Sequence, residues 1–86
     1  MTDVRQEIIE WVEKAQQLLP GNRISWYRSV REQLEFVKSV TESGRRATAE
    51  ELAGMSLSQL AMREFEPDFP DLALAIYEVM DRFRRL

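Results

Sequence analysis

The stretch EELAGMSLSQLAMREF, Glu50–Phe65, decides how this chain is read. Two short apolar-periodic runs flank Gly54 and Ser56. Each follows a capping box, TAEE at Thr48–Glu51 and SLSQ at Ser56–Gln59. In such a box the first hydroxyl accepts from the third helical amide, and that residue's side chain reaches back to the first. The pattern predicts a helix of about two turns over Ala49–Ala53, closed by Gly54. A second helix starts after Ser56 and carries Leu57, Leu60, Ala61 and Phe65. Pro67 stops it, because the residue before a proline, here Glu66, is disfavoured in helical backbone. Leu52, Met55, Leu57 and Leu60 are expected to point into a core.

The same stretch resembles part of a helix-turn-helix, with TAEELA as support, GMS as turn and LSQLAMREF as recognition helix. Its details oppose that reading. Gly54 leaves the supporting helix too short. The recognition helix offers only Ser58, Gln59 and Arg63, and runs into Glu66, Asp68 and Asp71, which phosphates repel. Arg45 and Arg46 are the only basic help. A corner between two short helices is the better account.

Outward from this corner the chain is punctuated into longer helices. One is expected from Asp3 to Leu19, with Asp3 as N-cap, Gln6 as its capping-box partner and Pro20–Asn22 as the stop. Val4, Ile8, Trp11, Val12, Ala15, Leu18 and Leu19 share one arc of about 120°, with Ile9 off it. Glu10 and Lys14 are spaced to pair on its exposed side. The next helix is expected from Ser25 or Trp26 to Ser43, capped by Ser25 and ended by Gly44 in the left-handed position. Its apolar residues, Trp26, Tyr27, Val30, Leu34, Phe36, Val37 and Val40, cover about half the circumference. Such a face belongs to a central helix or to one that meets another chain. PDFPD, Pro67–Asp71, is a turn and a start signal, with Asp68 as cap and Pro70 in the first turn. The last helix then reaches Arg84 or Arg85, with Leu72, Ile76, Val79, Met80, Phe83 and Leu86 on one face. Arg82, Arg84 and Arg85 oppose the dipole at its end. The expected fold is all-α, a compact bundle of four to five helices: two long N-terminal, two short middle and one C-terminal. Residues 1–86 are expected to form a single helical domain.

Composition narrows the chemistry. The chain holds neither Cys nor His. Thiol chemistry, cysteine-ligated zinc and the commonest general acid–base are therefore absent. No Gly-rich phosphate loop, nucleophile elbow or calcium loop is present. The carboxylates Glu50–Glu51 and Glu64–Asp71 are expected to be helix-end charges and a solvated turn. No enzyme activity, cofactor or metal is expected. No apolar run approaches the roughly 18 residues that span a bilayer, so the expected location is cytoplasmic, away from membranes.

The net charge of −3 hides a segregation. Residues 47–81 set Glu50, Glu51, Glu64, Glu66, Asp68, Asp71, Glu78 and Asp81 against Arg63 alone. Residues 23–46 carry an excess of Arg and Lys. The two segments are expected to pack with their fields partly compensating. Trp11, Trp26 and Tyr27 are candidates for an aromatic platform, but aromatics at helical spacing usually form core.

By subtraction, the expected function is that of a small non-catalytic interaction module, an adaptor, regulator or inhibitor that binds another protein. The alternatives are a helix-turn-helix-like nucleic-acid regulator and a structural homodimer subunit. The candidate protein-binding residues are Leu74 and Tyr77, which lie off the apolar stripe, with Glu66 and Asp68 beside them. Trp26 and Phe36 on the broad second helix are the other candidates. A partner with a basic surface fits the acidic neighbours. Self-association through the broad face is also expected, and binding to nucleic acid is not.

Overall fold

The computed structural model describes residues 3–20 and 26–86. They form α1 (Val4–Leu18), α2 (Tyr27–Ser43), α3 (Ala49–Ala53), α4 (Leu57–Leu60), a π-helical segment (Ala61–Phe65) and α5 (Pro70–Arg85), with no strand among the described residues. The all-α bundle expected above is the observed architecture.

The helix ends follow local chemistry, with several departures from expectation. The Asp3 carboxylate caps α1 by accepting the Arg5 amide at 3.0 Å, and Gln6 adds no reciprocal bond. Leu19 is extended, as a residue before proline prefers, so α1 stops there. The expected cap Ser25 lies outside the described residues. Gly44 ends α2 at φ +84°, the only positive φ among the described residues. The first capping box is complete: Thr48 Oγ1 accepts the Glu51 amide at 3.1 Å, and Glu51 Oε1 accepts the Thr48 amide at 2.8 Å.

The second box does not form. The Ser56 hydroxyl makes no cap bond to its own helix. Gln33 of α2 takes that role from across the fold: its Oε1 accepts the Ser56 amide at 2.8 Å and its Nε2 donates to Ser56 Oγ at 2.9 Å. Because a backbone amide can only donate, this contact also fixes which way the Gln33 amide points.

Glu66 also departs from expectation, since it stays helical (φ −52°, ψ −44°) before Pro67. The preceding turn is π rather than α, with the Glu66 amide on the Ala61 carbonyl at 2.9 Å. An α-turn would set the Pro67 ring against the Arg63 carbonyl; the wider i→i−5 turn opens that contact. It also keeps Leu57, Ala61 and Phe65, spaced by four, on the buried side. Asp68 does not cap α5. Pro70 disfavours helical backbone at Phe69, so Phe69 (φ −134°, ψ 64°) becomes the N-cap and Pro70 the first helical residue.

The core is one contiguous cluster drawn from α1, α2, the α4–π corner and α5. Helix α5 lies at its centre, burying Leu72, Ala73, Ala75, Ile76, Val79, Met80 and Phe83. The small side chains of Ala73 and Ala75 let its neighbours approach, and α1 packs along it most closely. The broad apolar face of α2 is largely spent inside the chain. Val30, Leu34, Val37 and Val40 are buried, Trp26 leans on Phe65 with ring centroids 4.3 Å apart, and Phe36 meets Phe83 edge-on at 6.4 Å. Leu57 is buried at the corner, while Leu52, Met55 and Leu60 pack against the core from its edge.

Candidate functional site

The α4–π corner does not have the form of a DNA reader. Helix α3 has five residues and buries none of them, and α4 gives way to the π turn after four. Ser58 lies 3.4 Å from the Arg84 guanidinium. Gln59 and Arg63 are exposed, but Arg63 lies between the exposed Met62 and Glu64. Among the described residues no group of three or more carboxylates is placed to hold a metal ion, and no helix is long and apolar enough to cross a membrane.

Of the candidate binding residues, Tyr77 and Leu74 fall on two edges of α5. Tyr77 lies on the edge facing the π segment. It is partly buried, and its hydroxyl donates to Glu66 Oε1 at 2.9 Å. Partial desolvation and then the Glu66 carboxylate hold the Tyr77 phenol above its ordinary pKa. Leu74 lies on the edge facing α1 and is 53% exposed. The expected single apolar anchor of Leu74 with Tyr77 is therefore split, because Tyr77 is tied to Glu66 while Leu74 lines a groove.

That groove runs between the C-terminal half of α1 and the N-terminal half of α5. One hollow of about 200 Å³ is lined by Trp11, Lys14, Leu18, Asp71 and Leu74. A second, also of about 200 Å³, continues past Leu18 and Asp71 to Asp68, Phe69, Pro70 and Leu72. Pro70 pre-sets the turn that places Asp68 and Asp71 at this end. Trp11 forms the far wall, with Lys14 Nζ 5.1 Å from its ring centre and the Arg82 guanidinium at 5.7 Å. Lys14 thus sits over the Trp11 ring and not in the expected pair with Glu10. Arg82 is itself held by Glu78 and, at 3.5 Å, by Glu7.

Leu18 and Asp71 are not legible in the sequence as groove residues, since Leu18 belongs to the apolar stripe and Asp71 reads as a helix-end charge; Trp11 is legible only as part of that stripe or of an aromatic platform. One signal was available: Lys14 borders the Trp11–Leu18 edge of that stripe, and a cation there marks a rim open to water. Trp26 and Phe36 are not joined in one patch, since each packs on a different core aromatic. Nor do Trp11, Trp26 and Tyr27 build a shared platform, because Trp11 stands against Lys14 and Arg82 while Trp26 stands against Phe65.

The charge segregation survives folding better than expected. Among the described residues a single ion pair, Arg45–Glu51 at 3.0 Å, joins the basic segment to the acidic one. Glu64, Asp68 and Asp71 form no ion pair among the described residues, so this end of the bundle presents carboxylates beside exposed apolar surface.

The sequence profile of the Tsi6 family matches residues 1–85, so the chain belongs to that family. No curated protein and no solved structure matches it.

Proposed function

We propose that this Tsi6-family protein is a non-catalytic immunity protein of the type VI secretion kind, which neutralises a toxin by binding it. The observation that carries this reading is the family match over almost the whole chain. The surface supports it. An acidic end with exposed Leu74 suits recognition of a basic, partly apolar protein surface. Glu66, Asp68, Leu74 and Tyr77 are the contact residues of this reading; Trp26 and Phe36 each pack on a core aromatic and support the fold. On this reading the protein works in the compartment where that toxin acts, and a cytoplasmic target would match the location expected from the sequence. Carboxylates at this end speed encounter with a cationic partner, and apolar contacts set how long the complex lasts.

Affinity capture from the native organism identifies the partner, which is then expressed in a heterologous bacterial host with and without this protein. The expected result is growth arrest by the partner alone and recovery on co-expression. A captured partner that is harmless, or whose toxicity this protein does not relieve, overturns the reading.

A further inference from the structure

We infer that the groove between α1 and α5 receives one apolar side chain of the partner, flanked by lysine or arginine, with the anchor between Leu18 and Leu74 and the cations on Asp71 and Asp68. The inference rests on the protein-binding reading above and specifies the partner's chemistry.

Each hollow holds about 200 Å³, below the roughly 300–1,000 Å³ typical of small-molecule pockets. That size suits a side chain inserted from a partner surface. Leu74 stands 53% exposed on a helix that buries seven neighbours, so it is the apolar residue of α5 left for an outside contact. Trp11 is braced by Lys14 and Arg82, so that wall is ordered before anything binds, which lowers the entropic cost of association. Charge gives the partner a direction. Lys14 repels cations from the Trp11 end, while Asp68 and Asp71 attract them at the Pro70 end, where neither forms an ion pair among the described residues. The larger hollow between α1 and α2, lined by Gln16, Glu35, Lys38, Ser39, Glu42 and Ser43, offers no apolar anchor.

A photo-crosslinking amino acid placed at position 74 of the full chain, and separately at position 39 in the polar hollow, tests this in the native organism. Position 74 is expected to give an adduct whose partner peptide carries an apolar residue flanked by lysine or arginine. With that partner purified, Leu74→Ala is expected to weaken binding about 10- to 100-fold, chiefly by faster dissociation. Asp68→Asn with Asp71→Asn is expected to slow association and flatten its salt dependence. Met62→Ala, an exposed apolar change outside the groove, is expected to leave binding unchanged, and circular dichroism verifies the fold of each variant. No adduct at position 74, an acidic partner peptide, or unchanged binding by well-folded Leu74→Ala overturns the inference. Growth rescue without an adduct at 74 refutes the groove and leaves the immunity reading standing. A basic, apolar adduct from a harmless protein does the reverse.

Discussion

Arg5 closes the C-terminal end of α2 from a neighbouring helix. Its guanidinium donates to the carbonyls of Thr41 at 2.9 Å, Gly44 at 3.0 Å and Arg45 at 3.2 Å. The last carbonyls of a helix have no partner within it, and a cation there also opposes the dipole. Arg5→Met is expected to cost about 1.5–3 kcal/mol, the range for hydrogen bonds to a charged group. A urea titration would show a lower midpoint with unchanged slope. Arg5→Lys is expected to recover only part of this, since an ammonium lacks the planar fork that reaches several carbonyls. Thr41 poses the opposite case. It is 2% exposed and its hydroxyl finds no partner. A buried unbonded hydroxyl is a net cost, so Thr41→Val, which keeps the shape, is expected to add about 1 kcal/mol. That corresponds to a rise of about 4–8 °C in thermal midpoint for a domain of this size. Arg5 bonds the Thr41 carbonyl directly, so the two substitutions are expected to couple, and a double-mutant cycle measures by how much.

The short helices depend on groups that hold their ends. Helix α4 has four residues and is started by Gln33, which also receives support from Ser29 Oγ at 3.0 Å. Gln33→Ala is expected to cost about 1–3 kcal/mol because it strands the Ser56 amide. Ser56→Ala is expected to cost less, since the amide keeps its bond to Gln33. A double-mutant cycle on the pair, read by chemical denaturation, would show the coupling. Helix α3 is held at its start by Glu51, which accepts from Thr48 and takes both Arg45 amino groups at 3.0 Å. The Arg45 hydrogen bonds, then the Thr48 amide, lower the Glu51 pKa from 4.5 to about 2. A carboxyl depressed by folding stabilises the native state above its unfolded pKa, and that contribution disappears as pH falls through the folded value. A ¹³C titration of the Glu51 carboxyl is therefore expected to show a midpoint near 2, with α3 loosening between pH 4.5 and that point. Arg45→Gln would move the midpoint up toward 4.5.

The chain as a body is compact, with a radius of gyration of 12.2 Å, close to the roughly 12 Å expected of a single folded chain of this length. The expectation of self-association came from the breadth of the α2 face. That breadth is accounted for internally by Trp26 on Phe65 and Phe36 on Phe83. Helix α5 occupies the central position instead. Packing covers part of that face, and sedimentation equilibrium at micromolar concentration decides self-association: a lone 10.1 kDa species would exclude it. A concentration-dependent dimer would point to an interface between copies at Val4, Met62 or Leu74, the exposed large apolar residues among those described.

Helix existence was legible in the residues because its signals act over a few positions of backbone. Asp3 caps α1, Gly44 ends α2, Thr48 and Glu51 open α3, and Pro70 starts α5, each through contacts within one turn. The same local rules misjudged Ser56, Glu66 and Asp68. At Ser56 the winning partner was Gln33, from another helix, and at Asp68 the restriction that Pro70 places on Phe69 moved the cap one residue on. At Glu66 the burial of Phe65 and the bulk of Pro67 favoured a π turn that no spacing announced. The acidic neighbours of the groove were visible as composition, and Leu74 as a residue off the stripe. The groove itself was not, because its walls, Trp11 with Leu18 and Asp71 with Leu74, come from opposite ends of the chain. Periodicity tells which side of a helix is apolar. Only packing decides how much of that side a neighbour covers and how much remains for a partner.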